Sequence, residues 1–252
     1  MNRIQFHKYF KSPGPVVTPV IHAMDETQVR RNVERAVRAG VAGVFLINHD
    51  YPPAELMPVI RAIRSAFPAL WLGINFLGVT GQDAFPQLAG LAAQDCPVDG
   101  YWGDDARVDE RVDVQTEAGA IAALHADGGW RGMYFGGVAF KKQRPVAPSD
   151  YARAAALAAP LMDVVTTSGI ATGAAADNDK IATFRRALGD APLALASGVT
   201  PDNAASYAND VDCFLVATGI NIAGDFYNID PARLDTLMAL SREMGTGRKT
   251  YE

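Results

Sequence analysis

The feature that most limits the fold of this chain is a rhythm. Short apolar runs alternate with helical patterns eight times along the sequence. The first run is VVTPVIH, 16 to 22, and a helix follows from about Glu26, with Val29, Val33 and Val37 predicted on one face. Gly40 is placed to end that helix, since glycine favours the position just past a helix terminus. The next runs are GVFLIN at 43 to 48, LWLGINF at 70 to 76 and VDGYWG at 98 to 103. Helices are predicted after them over 54–66, 82–94 and 114–127. GMYFGGVAF at 132 to 140, MDVVTTS at 162 to 168, PLALAS at 192 to 197 and VDCFLVAT at 211 to 218 complete the set. Their helices are predicted over 149–159, 177–188, a short 201–208 and 230–244.

Strands that are apolar throughout belong to a parallel sheet covered on both faces. Strict alternation with helices makes the class α/β. Eight such units in 252 residues favour a single closed (β/α)8 barrel over an open, doubly wound sheet. The expected organisation is one domain over 1–252, with a short N-terminal extension (1–14) and a frayed C-terminal tail (245–252). The net charge of −5 disfavours nonspecific binding to nucleic acid or an anionic membrane. No apolar run reaches the roughly 18 residues of a membrane span. The N-terminus, MNRIQFHKYFKSPG, lacks the apolar stretch of a signal peptide, so a cytoplasmic location is expected. Cys96 and Cys213 form no metal-ligand pattern and read as buried thiols in a reducing compartment.

A barrel carries its chemistry where its strands end. The seventh strand ends LASGVTPDN and the eighth ends VATGI, each on a small hydroxyl residue followed by glycine. Glycine lets the backbone approach an anion and turn its N–H groups inward. Ser197 and Thr218 add hydroxyl donors, and a short helix predicted near Asn221 would add the positive end of its dipole. The alternative is plain turn chemistry, with Thr200-Pro201 as a helix cap and first position. The sixth strand ends in a third such segment, TTSGIATG, with Ser168-Gly169 and Thr172-Gly173. The candidate phosphate-binding set is therefore Ser168, Gly169, Thr172, Gly173, Ser197, Gly198, Thr218 and Gly219.

These segments resemble the C-terminal half of the BtpA-like (BtpA/SgcQ) family. The carrying residues are Ser168-Gly169, Ala171-Thr172-Gly173, Ser197 to Asn203 and Thr218-Gly219. AGVAGVFLIN, LGINFLG with Asn75 and GVAFKKQRPV with Lys141 extend the likeness more loosely. The chain departs from the family pattern at VIHAM, 20 to 24, and at HDYPPAE after the second strand. The resemblance implies a (β/α)8 barrel with an anion site at strands seven and eight, and little about chemistry. The family's founding members are linked to photosystem I biogenesis, and nothing in this sequence points to a thylakoid.

Six strand-end residues are candidate catalytic groups. His22 is a candidate general base or a packing histidine. Asn48 and Asn75 are placed to hold a substrate hydroxyl or carbonyl. His49, beside Asp50, follows the second strand. Asp104, beside Asp105, supplies a carboxylate base or caps the next segment. Lys141, beside Lys142, is read as a Schiff-base amine, an anion holder or a solvated loop residue. His22, His49, Asp50 and Asp104 could converge in the barrel mouth on a metal, but no HxH, HExxH or paired-carboxylate spacing occurs, and the expectation is no metal and no cofactor. Trp71, Trp102 and Trp130 read as packing residues.

The leading reading is a lyase, aldolase or isomerase acting on a small phosphorylated ligand, or binding a phosphate ion. The alternative is a non-catalytic assembly or regulatory factor that binds a metabolite or partner protein. Phosphoribosyl transfer ranks third, because the usual acidic pyrophosphate-binding motif is not evident. A homo-oligomer is the default expectation for such a barrel.

Overall fold

The computed structural model describes residues 1–245. Its strands are β1 Val16–Ala23, β2 Gly43–Asn48, β3 Trp71–Phe76, β4 Gly100–Gly103, β5 Met133–Gly137, β6 Val164–Ser168, β7 Leu193–Ala196 and β8 Cys213–Val216. All neighbours pair in parallel, and β1 pairs with β8, so the sheet closes into an eight-stranded barrel. The expected (β/α)8 architecture is what the chain forms.

The helices are α1 Arg3–Phe10, α2 Glu26–Ala39, α3 Pro53–Ala66, α4 Gly81–Ala92, α5 Thr116–Asp127, α6 Tyr151–Ala158, α7 Asn178–Leu188 and α8 Pro231–Gly245. Asp25 caps α2 by accepting a bond from the Gln28 N–H, and Gly40 closes it at φ 80°. Three expectations need correction. Val37 is 44% exposed, while Val29 and Val33 are buried. Residues spaced by four drift around the helix, so Val37 stands about 80° from Val29, and Ala36 takes the inner position instead. The predicted 201–208 helix is only a 3₁₀ segment, Ala204–Tyr207. The Asn203 side chain bonds back to the Thr200 N–H and Gly198 carbonyl, which uses these residues as a turn. No helix begins at Asn221, which pairs with Ile229 in an isolated antiparallel bridge. Of the tail expected over 245–252, Gly245 ends α8 and the rest lies outside the described residues.

Side chains in a strand alternate between barrel interior and helix layer. The interior is filled by Phe45, Trp71, Trp102, Phe135 and smaller neighbours. Gly73 and Gly100 make room for two of these rings: a Cβ on Gly73 would meet Phe45 at 2.4 Å, and one on Gly100 would meet Trp71 at 2.4 Å. The N-terminal extension closes the barrel floor. Phe6 packs on Phe135 and Phe10 on Trp71, with ring centroids 6.4 and 5.4 Å apart. Fully buried Asp212, just before β8, binds that helix through Arg3 at 2.8 Å and His7 at 2.9 Å. It also accepts from Arg185 of α7 at 3.1 Å and from the Leu193 N–H at 3.0 Å. With the floor sealed, the accessible end of the barrel is the one where the strands finish.

Candidate functional site

Strand parity decides which strand-end residues reach the mouth. Val20-His22, Ile47-His49 and Trp102-Asp104 continue the inward-facing series of their strands. All six of these side chains line one cavity, together with Lys141, Lys142, Thr172, Gly173, Ser197, Thr218 and Phe226. Its free volume is about 50 Å³.

Asn48 has the opposite parity and is absent from the cavity wall. Its amide donates to the Tyr51 carbonyl and accepts from the Leu77 N–H, tying two loops together. Asn75 has inward parity but lies deeper. It donates to Asp104 Oδ1 at 3.0 Å, and its own Oδ1 has no partner among the described residues. Ser168 is fully buried and spent on backbone: its Oγ accepts from the Lys141 N–H and donates to the Gly169 carbonyl.

The glycines at the ends of β6, β7 and β8 are pressed against neighbouring loops. A Cβ on Gly169 or Gly198 would fall 2.5 or 2.0 Å from the Ala174 carbonyl oxygen, and one on Gly219 would fall 1.8 Å from that of Val199. None of these three lines the cavity, whereas Thr172, Gly173, Ser197 and Thr218 do. Gly198 sits at φ +71°, the left-handed region that glycine enters at little cost. Ser197 beside it is held at φ +74°. Among the described residues, the Gly198 and Gly219 N–H groups donate to no backbone carbonyl.

Three ionisable groups of the cavity, His22, Asp104 and Lys141, are displaced from their ordinary behaviour. Burial, helped by nearby His49, pulls the His22 ring down to about 4, so it is neutral at neutral pH. His22 Nδ1 lies 3.1 Å from the Phe226 carbonyl, an acceptor only, so Nδ1 carries the proton and Nε2 keeps its lone pair. Burial raises the Asp104 carboxyl despite the bond from Asn75. Burial lowers the Lys141 amine, and Lys142 adds to this while Asp104 opposes it. Lys141 Nζ donates to Ser197 Oγ. His49 is half exposed, and its Nδ1 stands 3.6 Å from Asp50, too far for an orienting hydrogen bond. The arrangement offers a neutral base, a carboxyl, an amine and hydroxyl donors around one small space.

The sequence reading missed four contributors. Phe226 stacks on His22 at 3.8 Å between centroids and roofs the cavity. Its loop is pinned by Asp225, which accepts from the Tyr227 and Asn228 N–H groups, and by Gln28 and Asn32 of α2 on the Tyr227 carbonyl. Gln143 fixes the Lys141 loop by donating to the Asp104 and Gly137 carbonyls. Lys180, lowered to about 8 by burial, donates to the Ala139 and Ser168 carbonyls behind that loop. Trp102 forms part of the cavity wall, and its indole N–H is buried without a partner among the described residues. The Trp102 prediction of pure packing left that donor out. No cluster of three or more His, Cys, Asp or Glu suited to a metal occurs among the described residues. A wider groove of about 320 Å³ beside the loop after β4 is lined by arginines already paired, Arg111 with Asp109 and Arg144 with Glu110.

Fold and site together define a closed (β/α)8 barrel with a small cavity at its strand ends, where polar groups are set among apolar side chains. The sequence profile of the BtpA family matches residues 59–243, and the chain belongs to that family. No curated protein shows a significant match. Among solved structures, the tryptophan synthase alpha chain from Legionella pneumophila subsp. pneumophila is similar, with TM-score 0.67 and 17% identity over 98% of this chain and 99% of that one. The native KDPGal structure gives TM-score 0.60 and 12% identity over 90% and 95%. Phosphoribosyl anthranilate isomerase from Thermus thermophilus gives 0.55 and 14% over 88% and 96%. At these identities the likeness is one of fold. No helix among the described residues is long and apolar enough to cross a membrane.

Proposed function

We propose that this chain is an enzyme of the lyase, aldolase or isomerase type acting on a small phosphorylated metabolite in the barrel mouth. One observation carries the reading: His22, Asp104 and Lys141 line a single cavity together with Thr172, Gly173, Ser197 and Thr218. The first group suits proton transfer and carbonyl polarisation. The second offers hydroxyls and open backbone to a phosphate. Phosphoribosyl anthranilate isomerase, whose name carries a phosphorylated substrate, has the same fold, and fold likeness alone assigns no chemistry. The free, buried Cys96 and Cys213 suit a reducing cytoplasm. Homo-oligomerisation belongs to the same reading and is settled by light scattering on the purified protein.

The test is thermal stability with inorganic phosphate, triose phosphates, ribose phosphates and unphosphorylated controls, repeated on Thr218→Asp. A ligand at about 100 times its Kd stabilises by about 2.7 kcal/mol. For a chain of this size that is on the order of 5–10 °C in Tm. The expected result is a shift that requires the phosphate and is lost in Thr218→Asp, where a carboxylate repels the anion. Equal shifts in both proteins would contradict the site.

A second reading, a non-catalytic assembly or regulatory factor, is favoured by one feature. Met24, Ile170 and Ile222, on loops around the mouth, are 51%, 91% and 42% exposed. Apolar side chains on a rim suit a partner protein. That reading requires that the mouth residues support no turnover.

A further inference from the structure

We propose that Lys141 is a covalent nucleophile, whose Nζ forms a Schiff base with the carbonyl carbon of a short-chain phosphorylated aldehyde or ketone. This rests on the mouth being the ligand site, and it narrows the substrate to a carbonyl compound.

The geometry separates Lys141 from the two other lysines nearby. Lys180 is bonded to two carbonyls, packs over the Tyr151 ring at 5.0 Å and does not touch the cavity. Its donors are used in holding the fold. Lys142 also borders the cavity but is solvent-exposed. Lys141 is half-buried and makes no ion pair among the described residues; its Nζ meets one hydroxyl, Ser197 Oγ, and lies 5.7 Å from the centroid of the Phe140 ring. A hydroxyl can donate to a neutral amine as readily as it accepts from an ammonium ion. Ser197 therefore accommodates the reactive form, which a carboxylate partner would suppress. The burial that lowers the amine pKa acts in the same direction.

The backbone holds the amine in place. The Lys141 N–H is fixed to Ser168 Oγ at 2.9 Å, and Gln143 ties the same loop to the end of β4. Groups for the accompanying proton transfers share the cavity. The Lys141 nitrogen lone pair attacks the carbonyl carbon while the C=O π pair moves to oxygen, which takes a proton from the Asp104 carboxyl. The nitrogen gives a proton to His22 Nε2. The carbinolamine oxygen then takes the proton held on His22 Nε2 and departs as water, as the nitrogen lone pair forms the iminium bond; the proton consumed overall is the one Asp104 gave. An amine, a carbonyl compound and one proton thus become an iminium ion and one water, with no oxidant or reductant required. The cavity's free volume of about 50 Å³ makes short carbon chains the first to test.

Two measurements test this. In the first, the protein is incubated with glyceraldehyde 3-phosphate, dihydroxyacetone phosphate, or the unphosphorylated glyceraldehyde and dihydroxyacetone, then reduced with borohydride and mapped by peptide mass spectrometry. The expected result is a secondary-amine adduct on Lys141 in preference to Lys142 and Lys180, dependent on phosphate and lost in Lys141→Arg. Thermal shifts with the same compounds are read in parallel. A phosphate-dependent shift with no adduct at Lys141 overturns the Schiff base and leaves the phosphate site standing. Neither shift nor adduct overturns both. An adduct equally strong with the unphosphorylated compounds keeps the nucleophile and removes the phosphate from the substrate.

The second measurement needs no substrate. Competitive acetylation across a pH series reports the protonation midpoint of each lysine. The midpoint of Lys141 should lie below that of Lys142, giving Lys141 the larger neutral fraction at a given pH below both midpoints. Coincident midpoints would overturn the proposal whatever ligand the mouth binds.

Discussion

At Ser197 the backbone carries a φ of +74°, a conformation that costs an L-residue on the order of 1–3 kcal/mol. The strained residue is the one whose hydroxyl meets Lys141, so strain and candidate chemistry coincide. His22 shows the same coincidence, a polar side chain held against its own preference. Its folded pKa lies below the ordinary 6.5, so the unfolded chain takes up the proton first. Stability should therefore fall as pH drops from 6.5 toward about 4 and stay level above that window, for a loss on the order of 3 kcal/mol. Thermal melts of wild type and His22→Gln across this range check it, and the variant should lose that part of the slope. Much of this site was legible at the residue scale. His22, His49 and Asp104 follow strands whose inward series can be counted from the sequence, and the same count would have turned Asn48 outward. Phe226, Gln143 and Lys180 were not legible, because each acts through a partner on another unit, and local sequence carries no signal for such a meeting.

Elements were read well where periodicity was strong and poorly where tertiary contact overrode it. All eight strands were visible as apolar runs because parallel barrel strands are buried on both faces. Helix α1 was hidden inside a polar N-terminus: only Phe6 and His7 in it are buried, too few to make a period. Its attachment depends on Asp212. Burial pushes that carboxyl up, but the His7 hydrogen bond, the Arg3 charge and the Leu193 N–H outweigh it and hold it below the usual carboxylate range. A depressed carboxyl contributes stability that is present above its unfolded value and lost as pH falls through its folded one. Asp212→Ala strands Arg3, His7 and Arg185 without their shared acceptor. The expected cost is about 3–5 kcal/mol, read from urea unfolding, with faster amide exchange in α1 than elsewhere. A loss below about 1 kcal/mol would mean that the floor helix is held by its aromatic contacts instead.

For the molecule as a whole, the barrel interior and the helix layer share every strand, so neither has a separate route to unfolding. Trp71 sits in the first and Trp130 in the second. Tryptophan fluorescence and far-ultraviolet circular dichroism should therefore report one coincident thermal transition. Two separated transitions would divide the chain into independent units. The floor has a further consequence, in the order of synthesis. Arg3 and Asp212 are 209 positions apart, so α1 is synthesised long before the acceptor that anchors it. Until β8 is made, Phe6 and Phe10 have no closed barrel to pack beneath, so a chain stalled before β8 should expose them more than the finished fold does.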